Sequence, residues 1–162
     1  MLIRPETPDL VGAIRALHLA AFPTSAEADL VDRLRRDGDA TLSLVALDAG
    51  TIAGHLMLSP MHAPMKALGL GPLAVRADRR RQGIGGQLIR NGLAEAKAAG
   101  WEAIFVLGEP AFYGRFGFDV GRAVGFETPY AGPYFMILAL DGSELSARSG
   151  RVDYAPAFAD LE

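Results

Sequence analysis

Hydrophobic residues recur at helical spacing in three segments of the chain, and between these segments they form shorter continuous runs. Apolar residues three to four positions apart face one side of a helix, so each of these segments predicts an amphipathic helix. The first helix has its N-cap at Thr7 and ends before Pro23, the second lies between an N-cap at Ser25 and Gly38, and the third runs from Gly83 to about Ala99. A short fourth helix is predicted at 111–116.

The continuous apolar runs predict six strands, because they are short and bounded by turn residues. They are 2–4, 42–47, 51–59, 67–75, 103–107 and 134–140. The third helix connects two of these strands, 67–75 and 103–107, so the two should be parallel neighbours. Segment 124–133 is predicted as a loop, and Tyr154 and Phe158 of the tail should pack on the body. The predicted class is α/β with a mixed central sheet.

Residues 73–89 join the end of a strand to the third helix through a turn rich in arginine and glycine. The N–H groups at the start of a helix have no partners within the helix and carry a partial positive charge. Gly83, Gly85 and Gly86 lack the Cβ atoms that would hold a ligand away from those groups. This stretch therefore predicts a phosphate-binding site at the start of the third helix.

The distribution of charge supports a local anion site. The net charge is −3, yet four arginines lie within 76–81. A basic cluster in an acidic protein favours a local anion site over general binding of nucleic acid. The Gly-Lys-Ser/Thr of a P-loop is absent, and Leu88 stands where a dinucleotide-binding turn would need its third glycine.

Length and composition indicate one domain, 1–162, with 50% hydrophobic and 22% charged residues. The absence of cysteine excludes disulfides, a thiol nucleophile and thiolate metal sites. The first residues lack the apolar core of a signal peptide, and no run reaches the roughly 20 apolar residues of a membrane helix. From the sequence we expect a cytoplasmic protein with no membrane partner.

Three motifs carry a family resemblance. Arg80-Arg81-Gln82-Gly83-Ile84-Gly85 resembles the (Gln/Arg)-x-x-Gly-x-(Gly/Ala) signature of the GCN5-related N-acetyltransferases. Tyr113-Gly114-Arg115-Phe116-Gly117-Phe118 resembles the segment after the fifth strand of that family. Leu107-Gly108-Glu109-Pro110-Ala111-Phe112-Tyr113 resembles a segment of a bacterial subgroup. The resemblance spans nearly the whole chain and implies the acyl-CoA N-acyltransferase fold, with helices on both faces of the sheet.

The resemblance implies an acetyl-CoA-dependent N-acetyltransferase that moves the acetyl group directly from the thioester to a primary amine. Acetyl-CoA would be the cosubstrate, and no metal is expected. A main-chain N–H at Val75 or Ala74 would hold the acetyl carbonyl. The implied cofactor-binding residues are Leu73, Ala74, Val75, Arg80, Arg81, Gln82, Gly83, Ile84, Gly85, Gly86 and Tyr113.

Two side chains are candidates for catalysis. Tyr113 is the candidate general acid, because a phenol with an ordinary pKa near ~10 stays protonated at neutral pH and can donate to a thiolate. Glu27 is the candidate general base, since the resemblance places its helix beside the acceptor, and Glu109 is the alternative. Both carboxylates also suit the first turn of a helix for purely structural reasons.

The three histidines, His18, His55 and His62, lack the spacing of a metal site. We expect His18 on the flank of its helix and His62 in the acceptor pocket. The expected partners are acetyl-CoA and an amine-bearing acceptor, with a homodimer left open and no nucleic acid. The alternative function is a CoA-responsive binding or regulatory module with the same fold and little turnover.

Overall fold

The computed structural model describes residues 1–142 and 144–161. The strands are β1 (Leu2–Pro5), β2 (Leu42–Asp48), β3 (Thr51–Pro60), β4 (Ala67–Val75), β5 (Ala103–Leu107), β6 (Phe126–Glu127), β7 (Phe135–Ala139) and β8 (Gly150–Arg151). Six of them form one mixed sheet in the order β1-β2-β3-β4-β5-β7. Neighbours in this sheet are antiparallel except β4 and β5, which are parallel as predicted. A small parallel ladder joins β6 to β8.

Helices cover both faces of the sheet. They are α1 (Val11–Ala21), α2 (Ala26–Arg36), α3 (Ile84–Ala98), α4 (Pro110–Tyr113) and α5 (Val120–Ala123). Successive side chains of a strand point to opposite faces. On β2, Leu44 packs with Leu88 of α3, whereas the next residue, Val45, packs with Ile14 of α1. One face therefore lies under α3 and the other under α1 and α2, which confirms the predicted class.

A bulge separates β4 from β5 halfway along β4. The two strands pair only from Ala67 to Leu70 of β4. Gly71 and Pro72 then stand together opposite Met57 of β3, so β4 carries one residue too many at this point. Beyond the bulge, β4 continues along β3 while β5 stays with β7. A gap therefore opens between β4 and β5 at their carboxyl ends.

Local details differ from the sequence-based prediction. Segment 124–133, predicted as a loop, contains β6. Thr7 and Ser25 stand at helix starts as predicted, but neither side chain caps a backbone N–H. Each hydroxyl donates instead to a carboxylate near the start of its helix, that of Asp9 or Asp29. The first helix also begins as a 3-10 turn, Pro8–Leu10, before α1.

Two buried histidines connect α1 to β3. Nε2 of His18 lies 2.8 Å from Nδ1 of His55, and Nε2 of His55 lies 2.8 Å from Oγ of Ser43. The Ser43 hydroxyl donates to Glu6, whose carboxylate accepts two hydrogen bonds from Arg35. His18 is thus fully buried, and the prediction of a helix-flank position was wrong. The chain of hydrogen bonds provides most of the polar partners that burial would otherwise remove.

The histidine pair makes stability depend on pH. Burial lowers the pKa of His18 from 6.5 to about 4. Burial, together with the charges of His18 and Arg35, lowers the pKa of His55 well below 6.5. Below pH 6.5 the unfolded state therefore binds protons that the folded state does not, so stability present above that pH is lost toward pH 4. Between about pH 7 and about pH 4, protonation of His18 in the unfolded state should by itself lower the free energy of unfolding by about 3 kcal/mol.

Urea denaturation between about pH 7 and pH 4 measures this loss. His18→Gln removes one titrating ring and should flatten the dependence. His62→Gln is the control, because the His62 side chain is exposed, and it should follow the parent. A parent protein whose stability stays constant from about pH 6.5 to pH 5 would contradict the neutral, buried pair.

Candidate active site

The helix α3 begins with a left-handed residue. Gly83 is the N-cap, and its φ of +79° is one that side chains rarely allow. The first bond within the helix runs from the N–H of Gln87 to the carbonyl of Gly83. The N–H groups of Ile84, Gly85 and Gly86 therefore lack helical partners, and no described side chain caps them. These three donors suit an anion.

Two of the arginines before α3 form ion pairs with aspartates. Arg76 forms an ion pair with Asp78, and Arg79 forms one with Asp48. Arg79 also donates through Nε to Oε1 of Gln82 at 3.0 Å. Gln82, predicted as a cofactor-binding residue, thus holds Arg79 and does not line the groove described next. The Gln82 amide thus links two residues of the turn.

Four other arginines border an open groove of about 620 Å³, which we call the basic groove. They are Arg80, Arg81, Arg90 and Arg115, and none forms an ion pair with a described residue. The Arg90 guanidinium lies 5.2 Å from the centre of the Phe116 ring. Nine predicted cofactor-binding residues line the groove: Leu73, Ala74, Val75, Arg80, Arg81, Gly83, Ile84, Gly85 and Gly86. Cations without ion pairs beside free N–H donors suit a phosphorylated ligand.

The gap in the sheet leaves one edge of β4 without a partner strand. The N–H of Arg76 donates to the carbonyl of Ala53 on the β3 side. Main-chain groups alternate in direction along a strand, so the N–H of Ala74 also faces β3, and those of Leu73 and Val75 face the gap. Of the two main-chain donors predicted for an acyl carbonyl, this alternation favours Val75.

A second cavity, of about 430 Å³, borders the same part of β4, and we call it the aromatic cavity. It shares Phe22 and Leu73 with the basic groove, so the two spaces adjoin at the gap. The described aromatic residues of its wall are Phe22, Tyr113, Tyr130, Tyr154 and Phe158. Tyr154 and Phe158 come from the tail, which packs on the body as predicted. The tail therefore forms part of the candidate site.

Two polar atoms of the aromatic cavity are buried without a partner. Oε1 of Glu27, in the first turn of α2, has no hydrogen bond to a described residue. The hydroxyl of Tyr154 is also buried without one. Glu27 and Tyr113 thus border one cavity, although they lie far apart in the sequence. A buried polar atom without a partner costs free energy unless a ligand or water satisfies it.

Tyr113 is held in place by its neighbours. It is the last residue of α4, and its ring contacts Phe118 edge to face at 5.8 Å. The ring lies so close to Gly108 that a Cβ built there would be 2.4 Å from Cε2 of Tyr113. Burial raises the pKa of Tyr113 to about 12. The phenol is therefore neutral at pH 7, so it can donate a hydrogen bond or a proton but cannot act as a base.

Not every sequence-based candidate lies at the site. Glu109 is exposed and does not line the aromatic cavity. His62 does not line it either, and its main chain pairs with Asp153. Sequence reasoning missed the site residues Arg90, Arg115, Tyr130, Tyr154 and Phe158. Only Arg90 had a local signal, since it follows Gly86 by four residues and so lies on the same face of α3.

Comparison with known proteins agrees with this geometry. The model of the Acetyltransferase (GNAT) family matches residues 10–118, which is more than half of the chain. The chain belongs to the GNAT family. The uncharacterized N-acetyltransferase YhbS of Escherichia coli K12 is 37% identical over 164 positions, covering 98% of each protein.

Solved GNAT structures share the fold over nearly the whole chain. The Escherichia coli YhbS structure in complex with CoA has a TM-score of 0.89 and 36% identity, covering 98% of this chain and 91% of that one. A GNAT acetyltransferase of Brucella melitensis in complex with acetyl-CoA has a TM-score of 0.82 and 36% identity, covering 97% of each. The mixed sheet with its helices is therefore the GNAT fold.

Within residues 1–142 and 144–161, no helix has the length and hydropathy to cross a bilayer. These residues also contain no cluster of three or more histidine, aspartate or glutamate side chains placed to hold a metal ion.

The contact between Gly108 and Tyr113 allows a test of where the Tyr113 ring lies. Gly108→Ala should destabilise the protein by about 1–3 kcal/mol, because the new methyl group displaces the Tyr113 ring. Gly114→Ala is the control, since nothing lies within 4 Å of its Cβ position. Urea denaturation of both variants measures the difference.

A double-mutant cycle identifies the ring as the cause. In a Tyr113→Leu background, Gly108→Ala should cost less, because the obstructing ring is gone. Equal costs in the two backgrounds would mean that the ring does not occupy the space above Gly108.

Proposed function

We propose that this GNAT protein is an acetyl-CoA-dependent N-acetyltransferase that transfers the acetyl group directly to a primary amine. The observation that carries the proposal is the junction of the basic groove and the aromatic cavity at the gap in the sheet. One space suits a phosphorylated carrier, and the other brings Tyr113 and Glu27 together. Relatives that bind CoA and acetyl-CoA with the same fold support it.

The residues of the basic groove fit the cosubstrate. The N–H groups of Ile84, Gly85 and Gly86 would hold its pyrophosphate, and the unpaired arginines would balance its charge. The pantetheine arm would run along the open edge of β4. There, the N–H of Val75 would donate to the carbonyl oxygen of the acetyl group and stabilise negative charge on it.

Acetyl-CoA, when bound, supplies the acetyl group as a thioester. Glu27 would accept a proton from the incoming ammonium, directly or through water, and so free the lone pair of the amine. The nitrogen–carbon bond forms and the carbon–sulfur bond breaks, the nitrogen gives its second excess proton to solvent as the amide forms, and Glu27 then releases its own proton to solvent. The Tyr113 hydroxyl would give its proton to the departing thiolate, and solvent would return a proton to the phenolate. The products are the N-acetylated amine and CoA with a free thiol.

Gly85→Asp tests the cosubstrate site. A Cβ at Gly85 meets only side-chain atoms at 3.8 Å, so the fold should survive the change, and a carboxylate in the first turn suits the helix. The added charge should weaken CoA binding by about a hundredfold or more, because it repels the pyrophosphate at short range. Gly85→Ala, which adds the Cβ without the charge, is the control.

Calorimetry with CoA measures binding of the cosubstrate. An assay of thiol release, with acetyl-CoA and a panel of amines, measures acetyl transfer. The parent should bind CoA and acetylate at least one amine, and Gly85→Asp should lose both properties. Parent protein that does not bind CoA would overturn the proposal. Binding without transfer to any amine would favour the CoA-responsive module.

Tyr113→Phe separates chemistry from binding. The change removes one hydroxyl and keeps the ring, so kcat should fall by roughly 10²–10⁴-fold, the usual contribution of a general acid. The affinity for CoA should change little, because the hydroxyl matters mainly as charge develops on sulfur. Tyr134→Phe is the control, since Tyr134 is exposed and lines neither space. Full kcat in Tyr113→Phe would assign the ring to packing alone.

A further inference from the structure

The aromatic cavity also indicates what kind of amine it accepts. Of the described residues that line it, Glu27 is the one charged residue, and the others are apolar, glycine or tyrosine. A polycationic amine would need several carboxylates to replace the water around its charges. A cavity with one carboxylate suits a ligand with one positive charge.

The carboxylate is positioned for a donor that the protein does not supply. Oε1 of Glu27 is buried and has no hydrogen-bond partner among the described residues. Other acidic residues of the same helix, such as Asp29 and Asp32, form ion pairs with Arg15. An ammonium group in the cavity would give Glu27 a charge-assisted hydrogen bond of the kind its neighbours already have.

Three rings form a rigid wall in the cavity. The ring of Tyr154 contacts Tyr130 edge to face at 5.5 Å and Phe158 at 4.8 Å. Tyr154 rests on β4 so closely that a Cβ at Gly69 would be 2.7 Å from its Cε1. Ring faces held in this way favour a flat apolar group and also attract an adjacent cation.

The size of the cavity limits the occupant. About 430 Å³ is the volume of a small-molecule site, not of a surface for a folded partner. Its junction with the basic groove lies at Leu73, next to the main-chain donor of Val75. An amine held by Glu27 would therefore enter from the side opposite the cosubstrate.

We propose that the acceptor is a small primary amine with a single positive charge and a flat apolar body. Glu27 binds the ammonium, and the wall of Tyr130, Tyr154 and Phe158 binds the body. This inference rests on the proposed function, because it assigns the acceptor of the same site.

Direct binding to the CoA-saturated protein tests the inference without requiring turnover. The probes are 2-phenylethylamine, its neutral analogue 2-phenylethanol and the polycation spermidine. Calorimetry should give 2-phenylethylamine a Kd about tenfold or more below those of the other two, because only it satisfies both the carboxylate and the wall.

Two variants separate the contributions. Glu27→Gln should weaken 2-phenylethylamine by about tenfold or more and leave 2-phenylethanol unchanged. Phe158→Leu keeps an apolar side chain but removes a ring, and should weaken both aromatic probes. Glu109→Gln, an exposed carboxylate outside the cavity, is the matched control and should bind like the parent. Circular dichroism verifies that each variant is folded.

The outcomes distinguish this inference from the proposed function. Spermidine binding as tightly as 2-phenylethylamine, or no preference for the amine over the alcohol, would overturn the inference. No detectable binding of 2-phenylethylamine would do the same. Efficient acetylation of spermidine alone would keep the proposed function and reject this acceptor class. Selective binding of 2-phenylethylamine without acetylation of any amine would keep the pocket assignment and reject the transferase.

Discussion

The loss of pairing between β4 and β5 after Leu70 is the constraint on which the site depends. A sheet that paired along the whole of β4 would use the N–H groups of Leu73 and Val75 in its own ladder. The two-residue bulge at Gly71 and Pro72 lets β4 follow β3 while β5 follows β7. The sheet thereby keeps its core yet leaves a row of main-chain donors free. Both spaces of the site meet at that row.

The electrostatics of the site follow from which charges the protein leaves unpaired. Arg76 and Arg79 belong to the same basic turn as Arg80 and Arg81, but their charges are balanced by aspartates. Arg80 and Arg81 have no ion pair with a described residue, and at the groove they lie with Arg90 of α3 and Arg115 of the segment after α4. In a chain of net charge −3, four arginines without ion pairs in the described part of the chain therefore lie together at one groove. A ligand with several phosphates would be drawn to that groove and oriented by the helix start.

Local signals predicted the framework of the site. The turn at 73–89 combines an apolar strand end, glycines and a helical period, and the structure has a strand, a left-handed N-cap at Gly83 and α3 in that order. Arg115, Tyr130 and Phe158 could not be assigned in this way, because only the tertiary fold brings them to the groove and the cavity. His18 shows the same limit from the opposite direction. The spacing of His18 suits a helix flank, but its hydrogen-bond partner His55, which compensates for burial, lies on β3, 37 residues away in the sequence.

Some buried polar groups of this protein are bonded within the chain, and others keep an atom without a described partner. The histidine pair is bonded within the chain, through Ser43 and Glu6, so it stabilises the packing of α1 on the sheet at neutral pH. Glu27 and Tyr154 each leave a buried atom without a described partner beside the aromatic cavity, and so do His18 at Nδ1 and Ser59 at Oγ elsewhere in the fold. Such atoms lower the stability of the protein, and a ligand in the cavity could supply partners only to those that border it. A ligand that supplies hydrogen bonds to the atoms bordering the cavity should therefore stabilise the folded protein, because it binds the folded state and not the unfolded one.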